Sequence, residues 1–286
     1  MSDEEDDYEE VSDEEKLQIA QHFLLSSPPG QFSEVLTDVK KLLPSSLISP
    51  EMLTGIAKAY SSRHLALVDV GGTYIPICKE AEIDATKYVD SSSKKMVKVD
   101  HASWTGTYAE DKPLPPTVFD SSVEGKRQAV MDAVLDYVGK HFDGARSGAG
   151  VFSKGGKITV VISAEKVNLK NFWSGSWVST WVLEGGNLTG TSKVRAHYFE
   201  EGNVQLQTSK TYGPIPISSS DDAGVGKAVG EEISKAEQEL HMSLGAMYVN
   251  MSEETLKSMR RVMPVTRSKM EWNLAAHKMV KQLHTK

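Results

Sequence analysis

The sequence has one cysteine, Cys78, among its 286 residues. A single thiol excludes an intramolecular disulfide and is typical of proteins from a reducing compartment. No apolar run approaches the roughly 18 residues that a transmembrane helix requires. The first fifteen residues contain neither Lys nor Arg and no apolar stretch, which argues against a secretory or transit leader. Together these absences predict a cytosolic protein.

Charge is distributed unevenly along the chain, whose formal net charge is −7. The first fifteen residues contain ten Asp and Glu, whereas residues 257–286 contain eight Lys and Arg and a single carboxylate, Glu271. We expect residues 1–11 to form an acidic, disordered arm. A basic terminus on an acidic protein favours an acidic partner, such as a nucleic acid, a membrane or an acidic protein surface.

Three short helices are predicted between residues 12 and 62. Ser12 and Glu15 have the spacing of a capping box, which begins the first helix. The breaker Pro28-Pro29-Gly30 precedes a second helix, and Ser49-Pro50 has the pattern of a cap and first residue of a third. Short helices with short connections are typical of an antiparallel bundle. We call this bundle the stalk.

The middle of the chain combines strand-like runs with one clear helix. Two runs flank Gly71-Gly72, which predicts a tight hairpin, and Lys95–His101 is a further predicted strand. A helix is predicted from about Glu124 to Phe142. From 148 to 213 the pattern has period two and is broken by glycine-rich turns. This predicts an antiparallel meander of about five strands with no helices between them.

Apolar residues recur every three or four positions from Val225 to Met251, which predicts one helix over 222–258. A helix of about 35 residues is roughly 50 Å long, whereas five strands span only about 24 Å. A long exposed apolar stripe would be a liability, so we expect the helix to continue onto the sheet of a neighbouring subunit.

These patterns predict an α+β fold. It consists of an N-terminal three-helix stalk, a small β globule, a five-stranded antiparallel sheet covered by a long helix, and a C-terminal amphipathic segment. The expected boundaries are 1–11 for the acidic arm, 12–62 for the stalk, 63–122 for the globule, 123–217 for a helix and the central sheet, 218–258 for the long helix and 259–286 for the basic C-terminal segment.

Several candidate chemical sites have simpler structural explanations. Val68–Thr73 is similar to the phosphate-binding turn of sugar kinases, but no second glycine-rich loop or catalytic Asp motif accompanies it, so a hairpin tip is favoured. His101 and His197 lack the converging ligands of a metal site. Cys78 has no identifiable His partner. We therefore predict no enzymatic activity, no catalytic residue, no cofactor and no metal.

Trp173, Trp177 and Trp181 recur every fourth residue within a strand-like segment. Such a row is compatible with a platform that stacks on bases or sugars. Burial beneath the long helix is the alternative that we favour.

The basic C-terminal segment begins at the end of the long helix. Pro264 separates it from that helix, and after Pro264 the apolar residues recur at the spacing of a short amphipathic helix. Such a helix is too short to be stable alone, so we expect it to dock on a partner. The candidate binding residues are Lys257, Arg260, Arg261, Arg267, Lys269, Trp272, Met279 and Leu283.

Four separated motifs resemble the α subunit family of F-actin capping protein. The most specific is Met259–Asn273, which is similar to the family's C-terminal signature. His197–Leu206 and Asn171–Trp177 resemble two further signatures, and Pro28–Phe32 resembles its stalk. The resemblance covers 12–62 and 123–286, and is faint from 64 to 118.

This resemblance implies a calcium-independent cap on the barbed end of actin filaments, built as a heterodimer with a similar β subunit. It implies that the C-terminal segment, called the tentacle in this family, carries the actin contacts, with Lys257, Arg261 and Arg267 as the main charges. It also implies a cytoplasmic, cytoskeletal location and further partners, namely phosphoinositides, carmil-type regulators and dynactin, but no nucleic acid. A membrane-binding protein and a nucleotide-dependent kinase are the alternatives from other classes.

Overall fold

The computed structural model describes residues 11–44, 47–109, 114, 118–200, 202–219 and 221–251. The chain divides into two compact units, Met1–Ile233 and Ser234–Lys286. The first unit contains the stalk, two β-sheets and the first turns of the long helix. The described part of the second unit continues that helix.

The stalk consists of α1 (Asp13–Ser26), α2 (Phe32–Leu42) and α3 (Pro50–His64). Ser12 and Glu15 form the predicted capping box, in which each side chain pairs with the backbone of the other. Ser49 caps α3 and Pro50 is its first residue, as predicted. These two caps satisfy N–H groups that every helix start leaves without an intrahelical partner.

The stalk helices pack on one another through a small apolar cluster. Leu24, Phe32 and Tyr60 contribute one buried side chain from each helix, and Trp104 from the globule closes the cluster. The Phe32 ring lies 5.0 Å from the Tyr60 ring and 5.2 Å from the Trp104 indole, centroid to centroid. The stalk is therefore joined to the globule by aromatic packing.

The globule is a five-stranded mixed sheet in the order β2-β1-β5-β4-β3. The Gly71-Gly72 hairpin and the strand from Lys95 are confirmed, whereas β3 and β5 have only four residues each and carry no clear sequence signal. Strands β1 and β5 are parallel, and the other pairs are antiparallel. The bounds are β1 Leu67–Val70, β2 Thr73–Pro76, β3 Lys87–Asp90, β4 Lys95–Asp100 and β5 Thr105–Tyr108.

The helix predicted from about Glu124 to Phe142 is α4 (Glu124–His141), which follows a 3₁₀ turn at Ser121–Val123. Its Arg127 is fully buried. The guanidinium donates to both carboxylate oxygens of Glu124 at 2.8 Å and to the backbone oxygen of Val151 at 3.1 Å. A buried cation with this number of partners ties α4 to the neighbouring strand.

The predicted meander is a five-stranded antiparallel sheet in which each strand pairs with the next along the chain. The glycine pairs at 155–156 and 185–186 have positive φ and form its tight turns. The bounds are β6 Arg146–Lys154, β7 Lys157–Asn168, β8 Trp173–Glu184, β9 Asn187–Tyr198 and β10 Val204–Pro216.

The long helix α5 spans Asp222–Asn250, or 29 residues. Its predicted continuation from 252 to 258 lies outside the described residues. Near its start, Gly226 and Gly230 face Ala129 and Ala133 so closely that an added Cβ would lie 2.4 Å from the Ala129 carbonyl oxygen and 3.0 Å from the Ala133 Cβ. Glycine is required here because the backbones of α4 and α5 approach each other directly.

The apolar stripe of α5 is buried only in part. Val225, Val229, Ile233, Ala236 and Leu240 are buried as predicted. Beyond them Met247 is 40% exposed within the described chain, at the end of the helix that we expect a neighbouring subunit to cover. The turns that follow also expose Tyr248 and Val249, so the described chain supplies no cover for this end of the helix.

Candidate functional site

The residues predicted to contact actin all belong to the C-terminal segment. They lie outside the described residues: Lys257, Arg260, Arg261, Arg267, Lys269, Trp272, Met279 and Leu283. The described residues up to Met251, called the body below, contain the other candidate sites and several exposed surfaces.

The turn at Gly71 and Gly72 has the geometry of a hairpin. Both glycines have positive φ, 64° and 92°, and the turn joins antiparallel strands rather than a strand and a helix. The Asp69 carboxylate accepts a hydrogen bond from the Gly72 amide at 2.7 Å. An amide occupied in this way is not offered to a phosphate, so the geometry favours a hairpin tip over a nucleotide site.

His197 and His101 each have a side-chain partner at one ring nitrogen, which for His101 is the Tyr88 hydroxyl at 3.4 Å from Nε2. The Gln31 amide nitrogen donates to His197 Nδ1 at 2.8 Å and also reaches Ser174 Oγ at 2.9 Å. His101 is buried, and burial lowers the pKa of its imidazole. Within the described ranges, no group of three or more His, Cys, Asp or Glu is arranged to hold a metal ion.

The remaining candidates for chemistry lie in the core. Cys78 is buried, and this burial raises the pKa of its thiol, which favours the unreactive neutral form. Trp181 is fully buried and stacks on Tyr212 with ring centroids 4.6 Å apart. Trp177 is 8% exposed and packs near Phe142. These two tryptophans are core residues and do not form a stacking platform, whereas Trp173 is half-buried.

The stalk is fastened to the large sheet by a polar junction that was not predicted from the sequence. Arg195 of β9 donates to the backbone oxygen of Ser27 at 2.7 Å and to His64 Nδ1 at 2.9 Å. His64 Nε2 lies 2.9 Å from the backbone oxygen of Leu25, to which it donates. Arg195 therefore holds the C-terminal ends of α1 and α3, where carbonyl groups lack helical partners. The available signal was that Lys193, Arg195 and His197 alternate and so share one strand face.

The pKa values of the titratable groups at this junction are shifted. Burial lowers the pKa of His64 to about 4, and the nearby positive charges of Arg195, Arg63 and Lys193 add to the effect. Burial raises the pKa of Tyr60 to about 12. Burial also lowers the pKa of Arg195, with a further contribution from Arg63. His64 is therefore neutral at pH 7, which agrees with its accepting a hydrogen bond from Arg195.

Strand β10 is an open edge of the large sheet. Its only described neighbour is β9, so its outer backbone groups have no strand partner within the described chain. Pairing with β9 is regular from Val204 to Tyr212 and then shifts by a bulge before Ile215. A long regular edge of this kind is a template for pairing with a further strand.

Helix α1 also leaves an apolar surface uncovered. Ile19 and Phe23 are one helical turn apart and are 52% and 57% exposed. The buried residues of the same helix are Ala20 and Leu24, and Leu24 belongs to the stalk cluster. Of the helices that the structure describes, none has the length and apolar character needed to cross a membrane.

Comparisons with known proteins agree with this architecture. A profile of the family "F-actin capping protein alpha subunit" matches residues 20–282. The F-actin-capping protein subunit alpha of Dictyostelium discoideum is 33% identical over 275 residues, which cover 92% of this chain and 95% of that relative. The Caenorhabditis elegans relative of the same name is also 33% identical, over 278 residues that cover 93% of this chain and 96% of that relative.

A solved structure shares the fold. The homodimeric actin capping protein alpha subunit from Plasmodium berghei superimposes with a TM-score of 0.70 at 24% identity, covering 88% of this chain and 98% of its own. The fold and the sequence therefore place the protein in one class: the chain belongs to the F-actin capping protein alpha subunit family. The resemblance inferred from the sequence motifs is confirmed.

Proposed function

We propose that this protein is the α subunit of a heterodimeric, calcium-independent cap on the barbed end of actin filaments. Family membership over residues 20–282 carries the proposal, because the match includes residues 259–282 of the basic C-terminal segment. The cap acts by occupying the position at which the next actin monomer would add or leave. No bond is made or broken, so the protein is not an enzyme and requires no cofactor.

Two surfaces of the described body support a partner subunit. The outer edge of β10 and the apolar pair Ile19 and Phe23 are both uncovered within the described chain. We propose that a β subunit of similar fold occupies them, so that the two sheets continue into each other. The α subunit from Plasmodium berghei is homodimeric, so self-association is the competing assembly.

The assembly can be tested by coexpression with a β subunit. Phe23→Asp places a charge on the exposed apolar pair, and we expect it to abolish recovery of the heterodimer because an unpaired charge would be buried. Leu135→Asp alters an apolar residue of α4 that is 41% exposed and serves as the matched control. Light scattering of the wild-type chain alone distinguishes a homodimer from a monomer. Heterodimer recovery that is equal for both variants would refute this interface.

The actin contacts are proposed to lie in the C-terminal segment. Its cations Lys257, Arg260, Arg261, Arg267 and Lys269 would meet acidic surface on the terminal actin subunits and chiefly speed association. The apolar residues Trp272, Met279 and Leu283 would dock in an apolar groove and slow release.

Charge reversal tests this assignment. Arg261→Glu with Arg267→Glu should weaken inhibition of barbed-end elongation at least about tenfold, with a larger effect at low salt. Lys126→Glu with Lys170→Glu makes the same change of charge at two exposed lysines of the body and should leave capping intact. Capping by the first variant that equals wild type, with calcium chelated, would contradict the assignment.

The same segment is a proposed site for phosphoinositides, because a basic amphipathic helix is typical of membrane-surface binding. Carmil-type regulators and dynactin are proposed as further partners on the family resemblance, and the location is proposed as cytoplasmic and cytoskeletal. Co-sedimentation with phosphoinositide vesicles, with and without actin filaments, separates membrane binding from capping. Competition between the two is the expected result.

A further inference from the structure

The junction between the stalk and the large sheet opens into a cationic cleft. The cleft has a volume of about 340 Å³ and none of its lining residues is acidic. It is lined by Leu25, Ser26, Arg63, His64, Lys193, Val194, Arg195, Gln207, Thr208 and Ser209. The whole cleft lies within the first compact unit.

The cations of this cleft have no carboxylate partner. Arg63, Lys193 and Arg195 form no ion pair with Asp or Glu among the described residues. Arg63 and Lys193 are exposed, so their charges are presented to solvent at the cleft. Three unpaired positive charges at one place contrast with a chain whose formal net charge is −7.

The C-terminal ends of two helices lie at the cleft and offset only part of this positive charge. The C-terminal ends of α1 and α3 meet there, and each carries roughly half a negative charge from its aligned peptide dipoles. Two such ends against three cations leave a net charge of about +2. Stabilisation of helix ends therefore accounts for the position of Arg195, which donates to carbonyls at the end of α1. It does not account for Arg63 and Lys193.

The strand register places further donors beside the cations. Gln207 is opposite Arg195, and Ser209 is opposite Lys193, on neighbouring strands. Directly opposed residues in an antiparallel pair share one face of the sheet. The face therefore combines two cations with an amide and a hydroxyl, which are suitable donors to an anion with several acceptor oxygens.

We propose that this cleft binds a compact phosphate-ester anion, recognised by Arg63, Lys193 and Arg195 with Gln207 and Ser209 as additional donors. The volume falls in the range of small-molecule sites, which begins at roughly 300 Å³, and this argues for a compact anion over a folded protein segment. The residues of this site are different from those of the C-terminal segment to which the capping activity is assigned, and the proposal does not depend on that activity.

Calorimetric titration of the purified heterodimer with inorganic pyrophosphate tests the proposal. The double variant Arg63→Met with Lys193→Met removes two exposed cations and spares Arg195, which holds the stalk. We expect pyrophosphate binding to weaken at least about tenfold in this variant, and wild-type binding to weaken as salt is added. Lys126→Met with Lys170→Met removes the same charge elsewhere and should bind pyrophosphate as wild type does.

A vesicle-binding experiment distinguishes a lipid headgroup from a soluble phosphate ester as the natural ligand. Vesicles of phosphatidylcholine with phosphatidic acid should bind in the same variant-dependent way if the natural ligand is a lipid headgroup, and pyrophosphate should displace them. Pyrophosphate binding without vesicle binding indicates a soluble phosphate ester. Failure of the wild-type heterodimer to bind either probe would overturn the proposal. Binding of a polyglutamate peptide alone would overturn it in favour of an acidic protein partner.

His64 provides an independent readout within the cleft. An anion beside Arg63 and Lys193 would stabilise the imidazolium form, so the pKa of His64 measured by NMR should rise when pyrophosphate is added. A merely structural role for these cations predicts no change. An unaltered His64 titration at saturating pyrophosphate would contradict binding at this cleft.

Discussion

His64 should make the stability of this protein sensitive to acid. Its pKa is about 4 in the folded chain, against about 6.5 for an unperturbed imidazole. Because the folded pKa is lowered, the unfolded chain binds the proton more readily, and the free energy of unfolding falls as pH drops from 6.5 towards 4. At pH 5 the unfolded imidazole is almost fully protonated whereas the folded one is mostly neutral.

The expected size follows from these two pKa values. Relative to pH 8, the difference at pH 5 is at most about 2 kcal/mol, since one pKa unit corresponds to about 1.4 kcal/mol and partial exposure screens the effect. His64→Gln removes the titration while keeping a donor for the Leu25 carbonyl. We expect this variant to lose less stability than wild type between pH 8 and pH 5.

Urea unfolding of the assembled protein at fixed concentration measures this difference. His22, an exposed histidine of α1, provides the control, because His22→Gln should retain the wild-type loss between pH 8 and pH 5. The reasoning is refuted if His64→Gln loses as much stability as wild type over this interval. The groups around His64 are Tyr60 and Arg63 of its own helix, Lys193 and Arg195 of β9, and the Leu25 carbonyl of α1.

Further predictions concern packing and buried charge. Gly30→Ala should cost more than about 1 kcal/mol, because φ is +70° and the added Cβ would lie 2.5 Å from Val167 Cγ2. Gly55→Ala is its control, since the space at this helical glycine is open, and it should stabilise by roughly 0.5–1 kcal/mol. Arg127→Met should cost about 1–3 kcal/mol, because the buried Val151 carbonyl loses its donor while Glu124 keeps Lys94, whereas Lys126→Met on the exposed face should change stability by less than about 0.5 kcal/mol. Urea midpoints measure all four variants, and equal midpoints within either pair would contradict the corresponding argument.

Local chemistry made much of the fold predictable. Ser12 and Ser49 specify helix starts because their side chains satisfy backbone groups within three residues. The Gly-Gly turns specify hairpins because only a few residues tolerate the positive φ that tight turns need. The five-stranded meander followed from period-two patterns between such turns, and its strand order is simply sequential.

Contacts between distant segments could not be predicted in this way. The parallel pairing of β1 with β5 joins short strands that are far apart along the chain, so no local turn specifies it. The junction of Arg195 with His64 joins residues 131 positions apart. The burial of an α5 side chain depends on what lies against each turn, so periodicity alone does not show which residues beyond Leu240 a single chain leaves exposed.

We expect this chain, paired with a β subunit, to cap the barbed end through its C-terminal segment. Imaging of single actin filaments growing from surface-bound seeds tests it most directly. Added at nanomolar concentration with calcium chelated, the heterodimer should stop elongation at barbed ends and leave pointed ends growing. Barbed ends that continue to elongate at the rate seen without the protein would contradict the account.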